Sequence, residues 1–541
     1  MGGDGVGTTT RVGGVGTTMP IYFTATGAGW TSPMTRDTVR VRRHEEISRV
    51  NPEIHGHFAE HLGRCVYGGI WVGDDDRVAT TDGIREDTVE LLADLGVQLL
   101  RWPGGCFADA YHWRDGIGPR EGRPRRPNDF WAQGREKLYE ESNAFGTEEF
   151  MRLCRLVDAE PFLAANVGSG SPTEAREWVE YCNNDADTTL TRERAENGSE
   201  EPHDVTYWGV GNENWGCGGQ FDPETYADEF RRFAHYMRLS GAEETVACGH
   251  IDEDWNRRFL SALTAPDLMD HLSVHRYFGR FGPECGSPTE FDREEYYTLF
   301  AHSLQVGLDI DDAAAALDTY LSTDDVDVAV DEWGAWYPEA TSENGLEQEN
   351  TVRDAVAAAG VLDDFNHRAD VVSMANLAQT VNVLQCVVQT DEEGAWPTPT
   401  YRVFDLYGPH AGATAVRTVV ETDTVETDLR DLPLVSASAT VDDGDRDDGE
   451  GDGDDGDDDG TYVTLSNRAL DEERTVTVSV EGEFDGATGE VLFADHDPDD
   501  YSTRENAAGF EASDLDVSTE DGDLVVTLPP NSVAGLSIGS A

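Results

Sequence analysis

The sequence predicts a (β/α)8 TIM barrel followed by an antiparallel β-sandwich, and three observations carry that expectation. Eight apolar, strand-like runs alternate with helical periodicity up to about residue 395. Beyond Thr400 the helical pattern stops, and short runs of period two recur between turn residues. At 541 residues the chain is too long for one average domain and long enough for a barrel with a smaller companion.

Taken in order, residues 1–35 are rich in Gly and Thr without periodicity and read as disordered, or as a mis-assigned start with Met19 or Met34 as the alternative. Residues 38–43 alternate like an exposed strand, and 36–53 are assigned to a strand that joins the sandwich. The barrel is expected over 54–395, with strands at 55–62, 98–103, 161–167, 206–211, 245–249, 272–277, 328–330 and 371–377. Helices are expected between them at 85–95, 148–157 and 349–365, where apolar residues recur at i, i+3 or i+4. The sandwich, 396–541, takes its strands from 416–420, 434–441, 462–466, 475–480 and 524–528. Inside it, 442–460 is almost entirely Asp and Gly; without ordered calcium-loop spacing it reads as a solvated, disordered insertion rather than a metal site.

Thirty-nine Lys+Arg against 108 Asp+Glu give a net charge of −69. Such a chain is repelled by phosphate backbones and anionic membrane surfaces, so neither nucleic acid nor a membrane is an expected partner. Lys137 is the only lysine, and this Arg-for-Lys, acid-rich usage resembles proteins of salt-accumulating halophiles. Molar salt shortens the Debye length to about 3 Å, which makes such self-repulsion tolerable. The eight cysteines include no C-x-x-C pair, so neither a zinc cluster nor a secreted disulfide framework is expected. With no signal-peptide pattern and no run of ~20 apolar residues, the expected location is the cytoplasm.

The chemistry gathers at two strand ends. The stretch YWGVGNENWGCGG (207–219) runs from a buried strand through Gly211 to Glu213, and VAVDEWGAW (328–336) runs from a strand to Glu332. Two glutamates on two strand ends, each near a Trp, are what a glycosidase uses to flank a scissile bond. Taken alone, Glu213 reads equally well as a helix cap or a surface acid in a very acidic chain. Other polar residues at strand ends complete a ring: His55, His57 and Glu60, then Arg101 and Cys106, Asn166, His275 and Tyr277, and Asn376 and Gln379. Singly, each also reads as a satisfied core residue.

The same stretches, together with NPEIHGHFAEHLG, LLRWPGGCFADAYHWRDGIGPR and NLAQTVNVLQ, resemble the α-L-arabinofuranosidases of glycoside hydrolase family 51 from about Arg40 through the sandwich. The resemblance implies a retaining hydrolase that releases terminal α-L-arabinofuranosyl residues from arabino-oligosaccharides. It makes Glu213 the general acid/base and Glu332 the nucleophile. Glu60, Asn212, Tyr277 and Gln379 become sugar ligands, His275 an orienting residue, and Arg101 the charge that keeps the nucleophile ionised. Cys106 stands where several relatives have Asn, and is either a weak sugar contact or a packing residue. No cofactor or metal is implied, and relatives commonly form homo-hexamers. Two alternatives stay open: a β-xylosidase or endoglucanase on the same barrel, and a non-catalytic sugar-binding protein.

Overall fold

Eight parallel strands close into a barrel in which each strand pairs with its sequence neighbour and the last pairs with the first. The computed structural model describes residues 36–73, 75, 77–131, 140–321, 326–442 and 460–540. The expectations for 1–35 and for most of the acidic stretch, 443–459, lie outside these residues. The barrel strands are Gly56–Phe58, Leu99–Trp102, Glu160–Ala165, Tyr207–Val210, Glu244–Cys248, His271–Gly279, Asp327–Trp336 and Val372–Ala378. Most of their residues are buried, because helices cover the outer face and side chains fill the inner one.

The three expected helices form as Glu86–Leu95, Thr147–Val157 and Val352–Asn366. Local chemistry sets their starts: in Pro223–Arg238, for instance, Asp222 accepts from the Thr225 amide and proline occupies the first turn. Val352–Asn366 is buried along nearly its whole length, since it lies between the barrel and the second sheet. Its Asp363 accepts hydrogen bonds from Ser436, Ser438 and Thr464 of that sheet. Among the described residues no helix is long and apolar enough to cross a membrane.

The second sheet has ten strands, with the two halves packed over a common core that includes Val39, Val41, Leu465, Val476, Leu524 and Leu536. Asp37–Arg49 is not an exposed strand: Val39 and Val41 are buried, and the strand sits inside the sheet between Thr414–Glu421 and Arg474–Val480. Its pairing with Arg474–Val480 is parallel. The expectation of a purely antiparallel sandwich is corrected to that extent, because a strand from the start of the chain enters a sheet otherwise built from its end.

Candidate active site

Side-chain alternation builds the site from its floor. Leu99, Phe162, Tyr207, Val246, Ala329 and Met374 form an apolar plug inside the barrel. Period two carries Arg101 and Asp331 to the next inward positions above it. Strand seven then holds an extra residue: Ala329 pairs with Ser273, but Glu332 pairs with His275. This bulge lets two consecutive carboxylates, Asp331 and Glu332, face one buried space, which a regular strand cannot do. Glu332 therefore lies within a ten-residue strand and not at its end as the sequence suggested.

Glu213 arrives by a turn. Gly211 has φ +87° and Glu213 φ +42°, a left-handed conformation costing a non-glycine residue roughly 1–2 kcal/mol. The buried Asp109 holds the turn, accepting from the amides of Val167 (2.7 Å), Gly168 (2.6 Å) and Asn212 (2.8 Å) and from Asn214 Nδ2 (3.3 Å). Burial pushes the Asp109 carboxyl up to about 7 despite those donors.

The two glutamates share His275, while Arg101 and Tyr277 hold Glu332. Arg101 Nη1 donates to Glu332 Oε1 at 2.8 Å, Tyr277 OH donates to Oε2 at 2.7 Å, and Arg101 Nη2 donates to Asn212 Oδ1 at 2.6 Å. His275 Nδ1 lies 3.0 Å from Glu213 Oε1 and 3.5 Å from Glu332 Oε2, while its Nε2 lies 3.1 Å from Asp331 Oδ1. Burial opposes a charged imidazole, yet Glu332 and Asp331 together push His275 up to about 10. Burial likewise raises the Asp331 carboxyl, but Arg101 and His275 bring it down to about 2. An oxygen of Glu213 and an oxygen of Glu332 lie within 4.8 Å of one another, with a His275 nitrogen between them.

Glu60 accepts from the amides of Gly105 (3.1 Å) and Phe107 (2.9 Å), from Trp131 Nε1 (3.1 Å) and from Gln379 Nε2 (3.2 Å). Burial, reinforced by the charge of Glu332, pushes it up to about 7. These groups open onto a cleft of about 380 Å³.

The structure thus brings Glu60, Arg101, Cys106, Asn212, Glu213, His275, Tyr277, Glu332 and Gln379 to one cleft or its immediate wall. His55 and His57 do not join them: both pack against Phe404 outside the barrel, and burial brings their pKa values down to about 4 and about 3. Asn166 supports a neighbouring loop, donating to the Tyr111 carbonyl and to Ser169 Oγ.

Cys106 needs correction. It forms a disulfide with Cys217, with 5.5 Å between the Cα atoms, so it carries no thiol hydrogen to donate. The pairing was invisible in sequence because 111 residues separate the two, and the loops after strands two and four bring them together. Sequence reasoning also missed Asp109, Asp331 and the aromatic walls Trp131, Trp215, Phe281 and Trp336. Asp331 and Trp336 flank Glu332 in the motif already singled out, so proximity to it was the available signal.

A parallel eight-stranded barrel with two facing glutamates in a cleft at the carboxyl ends of its strands is the framework of a glycoside hydrolase. Residues 91–279 match the alpha-L-arabinofuranosidase 1 domain and residues 331–532 the alpha-L-arabinofuranosidase C-terminal domain. An intracellular exo-alpha-L-arabinofuranosidase of Bacteroides ovatus is 37% identical over 510 residues, 93% of this chain and 95% of its own. The crystal structure of the GH51 arabinofuranosidase from Xanthomonas axonopodis pv. citri superposes with a TM-score of 0.85 at 34% identity, covering 93% of this chain and 99% of that one. The arabinose complex of the Thermotoga maritima alpha-L-arabinofuranosidase gives a TM-score of 0.79 at 30% identity, over 93% and 100%. The chain belongs to the α-L-arabinofuranosidases of glycoside hydrolase family 51.

Proposed function

We propose that the protein releases terminal, non-reducing α-L-arabinofuranosyl residues from arabinosides and arabino-oligosaccharides by double displacement. Glu332 attacks the anomeric carbon, and Glu213 protonates the leaving oxygen and then activates the water that hydrolyses the arabinosyl-enzyme. The separation of the two carboxyls carries this reading. Oxygens within 4.8 Å leave no room for a water between acid and sugar, and fit the retaining separation of about 5–5.5 Å rather than the inverting 6.5–9.5 Å.

The surroundings divide the labour. Arg101 and Tyr277 donate to one oxygen each of Glu332 and so aim it at the anomeric carbon. The proton for the leaving group resides on the Glu213–His275 pair, whose atoms lie 3.0 Å apart. Glu60, Asn212 and Gln379 supply donors and acceptors for sugar hydroxyls, and Trp215 and Trp336 offer apolar faces beyond the cleaved bond. Hydrolysis of an aryl α-L-arabinofuranoside followed by NMR tests the reading. The first-formed arabinose should keep the α configuration; an inverted first product, or faster turnover of the aryl β-xyloside, overturns it.

A Cβ at Gly105 would lie 2.6 Å from Glu332 Oε1, on a carboxylate already held by Arg101 and Tyr277. Gly105→Ala should therefore shift the nucleophile and lower kcat on the order of 10²-fold with little change in melting temperature. Steady-state kinetics with a thermal melt checks it; unchanged kcat would mean that Glu332 has slack.

Because the His275 pKa is raised from 6.5 to about 10, its stabilising contribution is complete below about 6.5 and is lost as pH rises through about 10. The melting temperature of the wild type should fall relative to that of His275→Gln between those limits. Parallel curves for the two proteins would show that the imidazole is neutral in the cleft.

We infer the protein's setting from its charge and from family resemblance. It works in the cytoplasm of a halophile as a homo-oligomer, hexameric by family resemblance; a single-chain mass by light scattering overturns the assembly. With −69 charges on the chain, the unfolding midpoint should rise steeply with NaCl, and deletion of 443–459 should lower the salt needed to fold. A wild type equally stable in dilute buffer overturns the halophilic reading.

A further inference from the structure

Cys106 and Cys217 are each partly exposed, whereas the other six cysteines are buried. Cys106 lines the cleft, and Cys217 Sγ lies 3.4 Å from Glu213 Oε2. One ligand atom each from Cys106, Glu213 and Cys217 lie within 4.8 Å of one another. As a disulfide the sulfurs bear no negative charge, and metals bind thiolates, so this trio is a poor ligand set. Reduction changes that. Two thiolates and a carboxylate, on backbones 5.5 Å apart between the cysteine Cα atoms, form a three-ligand set of the kind that holds Zn²⁺ at about 2.3 Å from sulfur and about 2.0–2.2 Å from oxygen.

We propose that the reduced protein carries a site for a thiophilic divalent cation built from Cys106, Cys217 and Glu213, and that filling it stops hydrolysis. A dithiol reductant such as dithiothreitol supplies the two electrons. The S–S bond breaks, the two cysteine sulfurs take up the reductant's two thiol protons, and the reductant leaves as its cyclic disulfide. Zn²⁺ then displaces those protons to solvent and binds both thiolates and Glu213, with water in the fourth position. A metal-bound Glu213 cannot hold the proton that the leaving oxygen requires. The disulfide thus shields the acid/base from soft metals, and thiol-rich surroundings remove that shield. The inhibitory half of this inference rests on the proposed role of Glu213; the binding half does not.

The test compares the full-length protein in its oxidised form with the form reduced by dithiothreitol and freed of it without air. Zn²⁺ uptake is measured against a chromogenic chelator. Co²⁺ uptake is followed by its thiolate-to-metal charge-transfer absorption, and hydrolysis is assayed on the same samples. The reduced form should take up one tight equivalent, develop the charge-transfer band and lose nearly all activity, and EDTA should restore it. The oxidised form should show only the weak uptake of an acidic surface and keep its activity. In reduced Cys217→Ser, shown to be folded by circular dichroism, Zn²⁺ affinity should fall by at least the roughly 10–100-fold that even an outer-shell partner is worth. Equal uptake by the two wild-type forms, or no charge-transfer band after reduction, overturns the site without needing the variant. Tight binding that leaves hydrolysis intact overturns Glu213 as a ligand, and the leaving-group dependence of Glu213→Ala judges its acid/base role separately.

Discussion

Glu332→Ala should lose roughly 10⁴- to 10⁶-fold in kcat, as removal of a covalent nucleophile does, while the protein still folds and still binds arabinoside. The side chain removed accepts hydrogen bonds from Arg101 and Tyr277, and both donors remain to line a small anion-sized space. Added azide should enter that space, attack the anomeric carbon from the vacated face and yield an arabinosyl azide of inverted configuration. Product NMR checks this. A variant that regains activity without azide incorporation, or gives the retained azide, would move the nucleophile elsewhere.

Glu213→Ala should behave differently. Substrates with poor leaving groups need a proton in the first step and should slow by roughly 10²–10⁴-fold, whereas aryl arabinosides with acidic phenols should be relatively spared in that step. Azide should now accelerate the second step and give the retained product, since Glu332 still forms the arabinosyl-enzyme. A plot of log kcat/KM against leaving-group pKa separates the cases: a steep slope supports the assignment, and equal loss across the series removes it. Loss of His275 contact to Glu213 makes the same variant a probe of where the proton sits.

The strands were legible in sequence wherever burial on both faces writes a nearly continuous apolar run, as in Glu160–Ala165. Strand seven outran its apolar pattern because its carboxyl half carries Asp331 and Glu332, polar residues that the site demands and the pattern forbids. Glu213 and Glu332 could be read from a strand broken by glycine beside tryptophan. Asp109 could not: its four donors come from two separate loops, those after strands three and four, and nothing next to it in FADAY announces them. The bulge that turns both Asp331 and Glu332 inward and the Cys106–Cys217 bond are products of pairing between distant segments. A local pattern holds no trace of either.

The strand Asp37–Arg49 has a consequence for how the molecule is made. Thr38 leaves the ribosome early, but its neighbours in the sheet are Glu421 on one side and Thr477 on the other. Every residue of the barrel is therefore synthesised before this strand can pair, and the nascent chain carries an unsatisfied β-edge for most of its translation. Valines alternate there with Arg40, Arg42 and Arg43, and those cations discourage the strand from joining a like edge on another chain while it waits. The second side of the strand is satisfied only once Arg474–Val480 has been made, and the sheet is filled only once Ser532–Ser540 has joined Thr461–Asn467.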